Sequence, residues 1–294
     1  MEVLKWHLTD SEELFVYHYT NFPEWFQAYK DRPIEYSINS AGFRSGFEFN
    51  PNRGLEVDIF LGCSHTLGSG HYWHNTWPFI VSQETGNKIV NLGIGGSGIE
   101  RSFFNLLKYR NYFNVKNIFH FQPVYPRYDF IDYTSRDFYD NKDFNFFPYQ
   151  PAWDGDDPSY PPYSQGYQHN VLLTDRFMYY NHIKYVMAIQ GIAFDMKVPY
   201  YFCYNYPQGP WVPKQHLDYE YVLTNEHGRK CVGIIKTDGS YPPPDDLLAR
   251  DSSHLAKGEM KNVANEFIHL KNTHPTGFVH KMPYMGKIFP KNSP

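Results

Sequence analysis

Ser64 follows a short apolar run, Val57-Asp58-Ile59-Phe60-Leu61, that ends in Gly62, and Gly68 closes the segment beyond it. A serine so placed lies where α/β sheets hold ligands, outside the carboxyl ends of their strands. Its hydroxyl is a weak nucleophile until a base takes its proton, and the usual base is a histidine oriented by a carboxylate. Asp251 and His254 offer that pair at a D-x-x-H spacing just before a helical segment, which can direct both side chains to one site. Chance often produces the same spacing, and its plain alternative is an aspartate that caps the coming helix beside an exposed histidine. Acyl transfer also needs donors for the developing oxyanion, and the turn Gly93-Ile94-Gly95-Gly96-Ser97-Gly98 lets backbone N–H groups approach closely. Its alternatives are a tight turn with close helix-to-sheet packing or a dinucleotide loop. No clear acidic ribose partner stands about 20 residues on, which speaks against the dinucleotide loop. The serine segment is not a G-x-S-x-G elbow, because Thr66 occupies the second glycine position.

Other chemistry-bearing groups have plainer readings. His65, His71 and His74 follow the candidate nucleophile and could be metal ligands, but they stand on an irregular loop with no carboxylate near in sequence; lining a cleft rim is the better expectation, and no metal or cofactor is expected. Asp154, Asp156 and Asp157 lack the glycine and distal glutamate of a calcium loop at their expected positions, and a solvated loop is the better expectation. The tyrosines between Tyr125 and Tyr167 could stack on sugar rings or pack the segment onto the body, and packing is slightly favoured.

The elements that must hold these groups follow from the apolar pattern. Val57 to Leu61 reads as a buried strand, Asn75-Thr76-Trp77-Pro78 opens a helix that stops at Gly86, and Lys88 to Leu92 gives a second strand. A helix carrying Ile99, Phe103, Leu106 and Leu107 on its apolar face leads to a third strand over Asn117 to Gln122. Leu172, Phe177, Tyr180, Ile183, Val186, Met187 and Ile189 mark a long helix over Val171 to Lys197, feeding a strand over Tyr200 to Tyr204. Tyr221 to Thr224 and Cys231 to Ile235 suggest a hairpin, and Lys257 to Leu270 a last helix. The alternation of strand and helix predicts an α/β fold, a three-layer α/β/α sandwich around a mainly parallel sheet.

The chain reads as one domain over 1–294, with an N-terminal cover over 1–35 and irregular loop insertions over 124–168 and 205–245. A net charge of -4 without a basic tract argues against nucleic acid as a partner. No apolar run is long enough for a membrane span and no secretory leader is visible, so the expectation is a soluble, cytoplasmic protein. Cys63, Cys203 and Cys231 have no metal-ligand spacing and are expected to be reduced and mostly buried. Aromatic residues make up 19% of the chain, enough to leave rings over for a substrate cleft.

Three segments resemble, in order, the conserved blocks of the SGNH (GDSL-like) hydrolase family. Gly62-Cys63-Ser64-His65-Thr66 is similar to the first, with Cys63 where the family usually has aspartate; Asn91-Leu92-Gly93-Ile94-Gly95-Gly96 is similar to the second; Asp251-Ser252-Ser253-His254 matches the last. Asn39-Ser40-Ala41-Gly42-Phe43-Arg44 resembles a segment that often precedes the serine block. The resemblance covers under half the chain. It implies a flavodoxin-like SGNH fold and a metal-independent esterase in which Ser64 attacks an ester carbonyl, His254 acts as base and then acid, Asp251 orients it, and the Ser64 and Gly96 amides hold the oxyanion. The third block departs: the family's oxyanion asparagine has no match in Phe121-Gln122-Pro123-Val124-Tyr125-Pro126-Arg127, where Gln122 or Arg127 could donate instead. The expected substrate is an acyl ester, such as an O-acetyl group, of a carbohydrate or small molecule. An acyltransferase with the same triad and a catalytically weak glycan- or protein-binding relative are the alternatives, and neither substrate nor oligomeric state follows from the sequence.

Overall fold

The computed structural model describes residues 1–8, 10–21, 23–123, 128–131, 146–149, 175–204, 249–251 and 254–276. Its centre is a four-stranded parallel sheet built from β3 (Asn52–Gly62), β4 (Lys88–Asn91), β5 (Phe113–Gln122) and β8 (Tyr200–Tyr204), in spatial order β4-β3-β5-β8. The chain starts in β3, steps outward to β4, and returns past β3 to β5. Connections therefore leave the neighbouring strands β3 and β5 in opposite directions, and it is outside the carboxyl ends at such a point that sheets of this kind hold ligands.

Side chains alternate across β3 with the period of a strand, and each face is covered by helices. Val57, Ile59 and Leu61 pack with α5 (Ile99–Tyr109) and α6 (Asp175–Met196) through Leu106, Val186, Ile189 and Ala193. Phe60, Phe119 and Phe121 turn the other way, onto Trp77 and Val81 of α4 (Trp77–Thr85) and Met260, Val263 and Phe267 of α7 (Lys257–Thr273). This is the expected three-layer α/β/α arrangement around a parallel sheet. Pro78 sits in the first turn of α4, where its missing N–H is harmless, and Gly86 closes the helix in the left-handed conformation at φ 73°.

The N-terminal residues are more regular than the irregular or helical cover expected. β1 (Glu2–Leu4) pairs antiparallel with β2 (Tyr36–Ile38), and α1 (Glu12–Asn21) and α2 (Pro23–Asp31) lie between them in sequence. Phe26, Tyr29, Ile34 and Tyr36 form a separate apolar cluster that reaches Leu67 and Ala256, beside the candidate site. Two assignments to helix faces fail by one position. The buried stripe of α5 runs through Ile99, Ser102, Leu106 and Tyr109, which leaves Leu107 39% exposed. That of α6 runs through Val186, Ile189 and Ala193, which leaves Met187 41% exposed. The expected irregular stretch over 124–168 contains an antiparallel pair, β6 (Tyr128–Ile131) with β7 (Phe146–Tyr149), whose aromatic residues favour extended backbone. The proposed hairpin over 221–235, the rest of both insertions, Leu172, Cys231, Arg127 and the Asp154 group lie outside the described residues. Cys63 and Cys203 are both buried, as expected. Among the described residues no helix is long and apolar enough to cross a membrane.

The layer between β5 and α6 encloses polar groups. His120 Nδ1 lies 2.9 Å from the Tyr200 hydroxyl, and His182 Nε2 lies 2.9 Å from Gln122 Oε1. Burial pushes His120 down to about 3 and His182 to about 4, and it pushes His71, under the candidate site, down to about 4. All three are neutral in the folded protein near pH 7 and take up protons on unfolding below the ordinary histidine range. Their contribution to stability is full above about pH 6.5 and is lost as pH falls towards 4, with a slope of about 1.4 kcal/mol per pH unit for each imidazole. Urea midpoints measured between pH 7 and pH 4.5 will fall steeply, and less steeply in a His182→Gln variant. Equal slopes for the two proteins are the contrary result.

Candidate functional site

The site begins where β3 ends. Gly62 has φ 147°, and a Cβ there would run into the Thr66 side chain and lie 2.5 Å from the Phe121 carbonyl oxygen. Only glycine lets the strand turn so tightly into α3 (Ser64–Leu67). Ser64 is therefore the first residue of a short helix at the carboxyl end of a central strand, 6% exposed, directly after the buried Cys63. The Thr66 hydroxyl donates back to the Leu61 carbonyl at 3.3 Å, closing the turn on its own strand.

The glycine turn after β4 is tied to this helix by one side chain. Asn91 Nδ2 donates to the Thr66 carbonyl at 2.8 Å while its Oδ1 accepts the Gly93 N–H at 2.9 Å. Gly93 packs so closely that a Cβ would lie 2.7 Å from the Leu67 nitrogen and 3.0 Å from the Cys63 carbonyl. The serine segment and the glycine turn thus form one packed unit. Gly96 turns the chain at φ 73° on the half-buried outer part of this loop.

Asp251 and His254 arrive from the far end of the chain. Asp251 does not cap α7, whose N-cap is Ala256, and His254 is not exposed; at 1% and 6% exposure the pair is buried, with His254 Nδ1 2.6 Å from Asp251 Oδ2. The His254 ring stands edge-on to that of His65, centroids 4.9 Å apart. The residue after Ser64 and the imidazole of the D-x-x-H block are thereby in contact. Gly70 packs against Asp251, since a Cβ at Gly70 would lie 3.0 Å from its Oδ1, and the Arg250 N–H donates to the Gly70 carbonyl at 2.8 Å.

The three histidines after the serine have separate fates. His65 packs on His254, whereas His74 is exposed and stacks on Tyr72 at 5.6 Å. His71 is fully buried and not on a cleft rim: neutral by burial, it donates from Nε2 to the Leu255 carbonyl at 2.5 Å and so pins the segment after His254. Among the described residues no group of three or more histidine, cysteine or carboxylate side chains could hold a metal ion.

Three buried charges, to none of which the sequence reading gave a role, frame the site. Arg44 donates to the carbonyls of Gly68 at 2.6 Å and His71 at 2.9 Å, with its guanidinium 4.4 Å from the Tyr36 ring centroid, and burial lowers it to about 10. Arg250 Nε and Nη2 reach Asp10 Oδ1 and Oδ2 at 2.8 and 2.6 Å, and Trp6 stacks 3.9 Å from this guanidinium. The Tyr36 hydroxyl donates to Asp10 and accepts the Gly70 N–H at 2.8 Å. No local pattern marks these residues, because each is buried by partners distant in sequence; for Arg44 the signal was its place in the Asn39 to Arg44 segment. Gln122 ends β5 beside Gly62, fully buried, with His182 holding its Oε1 and its Nε2 without a partner among the described residues.

Comparisons with known proteins add little. No family model matches the chain, and no curated protein does. Among solved structures, one similar chain is a protein from Desulfitobacterium hafniense DCB-2 named for the G-D-S-L family of lipolytic proteins. It is 11% identical, with 71% of this chain and 95% of that chain covered and a TM-score of 0.27.

The Asp10–Arg250 pair gives a direct test of how the site is held. Arg250→Met leaves a buried carboxylate without its counter-charge and is expected to cost about 3–5 kcal/mol of unfolding free energy in urea. Asp10→Leu in the same chain should return much of that loss, because the two charges go together. Additive losses from the two substitutions are the contrary result.

Proposed function

We propose that the chain is a serine ester hydrolase of the SGNH type, with Ser64 as nucleophile, His254 as general base and acid, and Asp251 as its orienting carboxylate. The observation that carries the reading is the buried Asp251–His254 pair, 2.6 Å apart, with the His254 ring packed on the residue that follows Ser64. Asp251 accepts the Nδ1 proton, which leaves Nε2 as the basic nitrogen. Ser64 Oγ attacks the ester carbonyl as its proton passes to Nε2. The oxyanion is held by the amides of Ser64 and Gly96. On collapse the alcohol leaves with the proton from Nε2, and water then attacks the acyl-serine by the same steps reversed in role.

Gln122 supplies the third donor. It is one of the two residues, with Arg127, that could stand in for the missing asparagine, and what favours it is that its Nε2 has no partner among the described residues while His182 fixes the amide's other end. The substrate class proposed is a small acyl ester, such as an O-acetyl group on a carbohydrate or other small alcohol. An acceptor hydroxyl in place of water would make the same residues an acyltransferase.

The test is hydrolysis of p-nitrophenyl acetate by the wild type and by Ser64→Ala and His254→Ala, with thermal unfolding as the folding control. Both folded variants should lose roughly 10³-fold or more in kcat. Identical background rates in all three proteins would end the esterase reading. For Gln122→Ala the expected change is a fall of about 10²–10³ in kcat with KM nearly unchanged. A full rate would remove Gln122 from the mechanism without touching the triad.

A further inference from the structure

Two non-glycine residues among those described have left-handed backbone, and one of them has an ordinary cause. Lys197, at φ 58°, follows the last turn of α6, where its N–H bonds to the Phe194 carbonyl at 3.0 Å and that of Val198 to the Ala193 carbonyl at 3.0 Å, as helix ends commonly do. Leu8, at φ 57°, has no such excuse. A branched side chain in this conformation costs about 1–2 kcal/mol, and such strain persists where the surroundings impose it, often at functional sites.

The residues on either side of it in sequence, His7 and Asp10, are bonded to one another. The His7 N–H donates to the Asp10 carbonyl at 3.0 Å and the Asp10 N–H to the His7 carbonyl at 3.2 Å. Left-handed backbone in a tight reversal is ordinarily taken by glycine, asparagine or aspartate. Asp10 anchors the base of the turn to Arg250, next to Asp251, and Trp6 stacks on the same guanidinium. The tip reaches the opposite side of the site: Leu8 fills the space that a Cβ on Gly95 would take, its Cγ and Cβ lying 3.3 and 3.8 Å from that position. Gly95 directly precedes Gly96, the proposed oxyanion donor. Leu8 remains 56% exposed despite this contact, so an apolar surface is held at the edge of the oxyanion turn with room for something to cover it.

We propose that Leu8 is a specificity-determining residue: its side chain is the wall against which the apolar part of the ester, beside the scissile carbonyl, packs. The proposal rests on the esterase reading. A substrate group covering Leu8 regains the apolar burial that the exposed side chain lacks, and the Asp10–Arg250 anchor holds the wall in fixed relation to Asp251 and His254.

The experiment compares kcat/KM for p-nitrophenyl acetate, butyrate and octanoate, and for acetates of short and long alcohols, in the wild type, Leu8→Ala and Leu8→Phe. Leu8 is 56% exposed, and thermal unfolding checks that the variants fold. Leu8→Ala should shift the preference between short and long substrates by roughly tenfold or more in one of the two series, and Leu8→Phe should shift it the opposite way, as changes of a methylene or two in an apolar pocket do. The series that responds tells whether the acyl or the alcohol group meets the wall. Unchanged preference in both series, with the wild type active, overturns the role of Leu8 and leaves the esterase reading intact. A wild type no faster than Ser64→Ala on every ester overturns both.

Discussion

The exit from β3 through Gly62 is the constraint from which the rest of the site follows. The Thr66 side chain and the Phe121 carbonyl occupy the space around its Cα, so the strand must end in a residue without a side chain. Once it does, Ser64 has one place to be, at the head of α3 over the carboxyl edge of the sheet. The glycine turn has no more freedom, because Asn91 bonds both to the helix carbonyl at Thr66 and to the turn N–H at Gly93. Two loops that could have drifted apart are held in register by one buried side chain.

The remaining parts of the site come from the two ends of the chain and are joined by charge. Asp10 and Arg250 are each 1% exposed, and such a pair is stabilising only when its other hydrogen-bonding capacity is met. Here it is: the Tyr36 hydroxyl donates to Asp10, and Arg250 also reaches the Lys5 carbonyl at 2.6 Å. Arg44 follows a different rule, directing its hydrogen bonds to backbone carbonyls of the loop after α3. Removing water from these charges makes them specific, since a misplaced loop would leave a buried ion without partners.

The layered architecture was legible because it rests on local pattern. Alternation along β3, a proline and a glycine at the ends of α4, and the helical spacing of α5 are written within a few residues of one another. Ser64, Asp251 and His254 were singled out by the order of their blocks, not by any one spacing, and the structure sets the Asp251–His254 pair against the residue that follows Ser64. What could not be read depends on distant partners. β1 and β2 are three residues each and find one another across two helices. Arg44, Asp10 and Arg250 have the composition of surface residues and are buried by contacts that no window of sequence contains. Leu107 and Met187 show the opposite limit: an apolar residue one position off the buried stripe is exposed.

Histidine illustrates why partners matter more than position. His71, His120 and His182 are all buried, all neutral, and bonded to a carbonyl, a phenol and an amide respectively. None of those partners compensates a positive charge, so in each case burial wins and the ring serves as a fixed hydrogen-bonding strut. His254 is as buried as His182, at 6% exposure, but faces a carboxylate. Burial disfavours a charged imidazole unless an opposite charge stands beside it. The carboxylate partner is what sets His254 apart from the three other enclosed imidazoles, whose hydrogen bonds go to a carbonyl, a phenol and an amide.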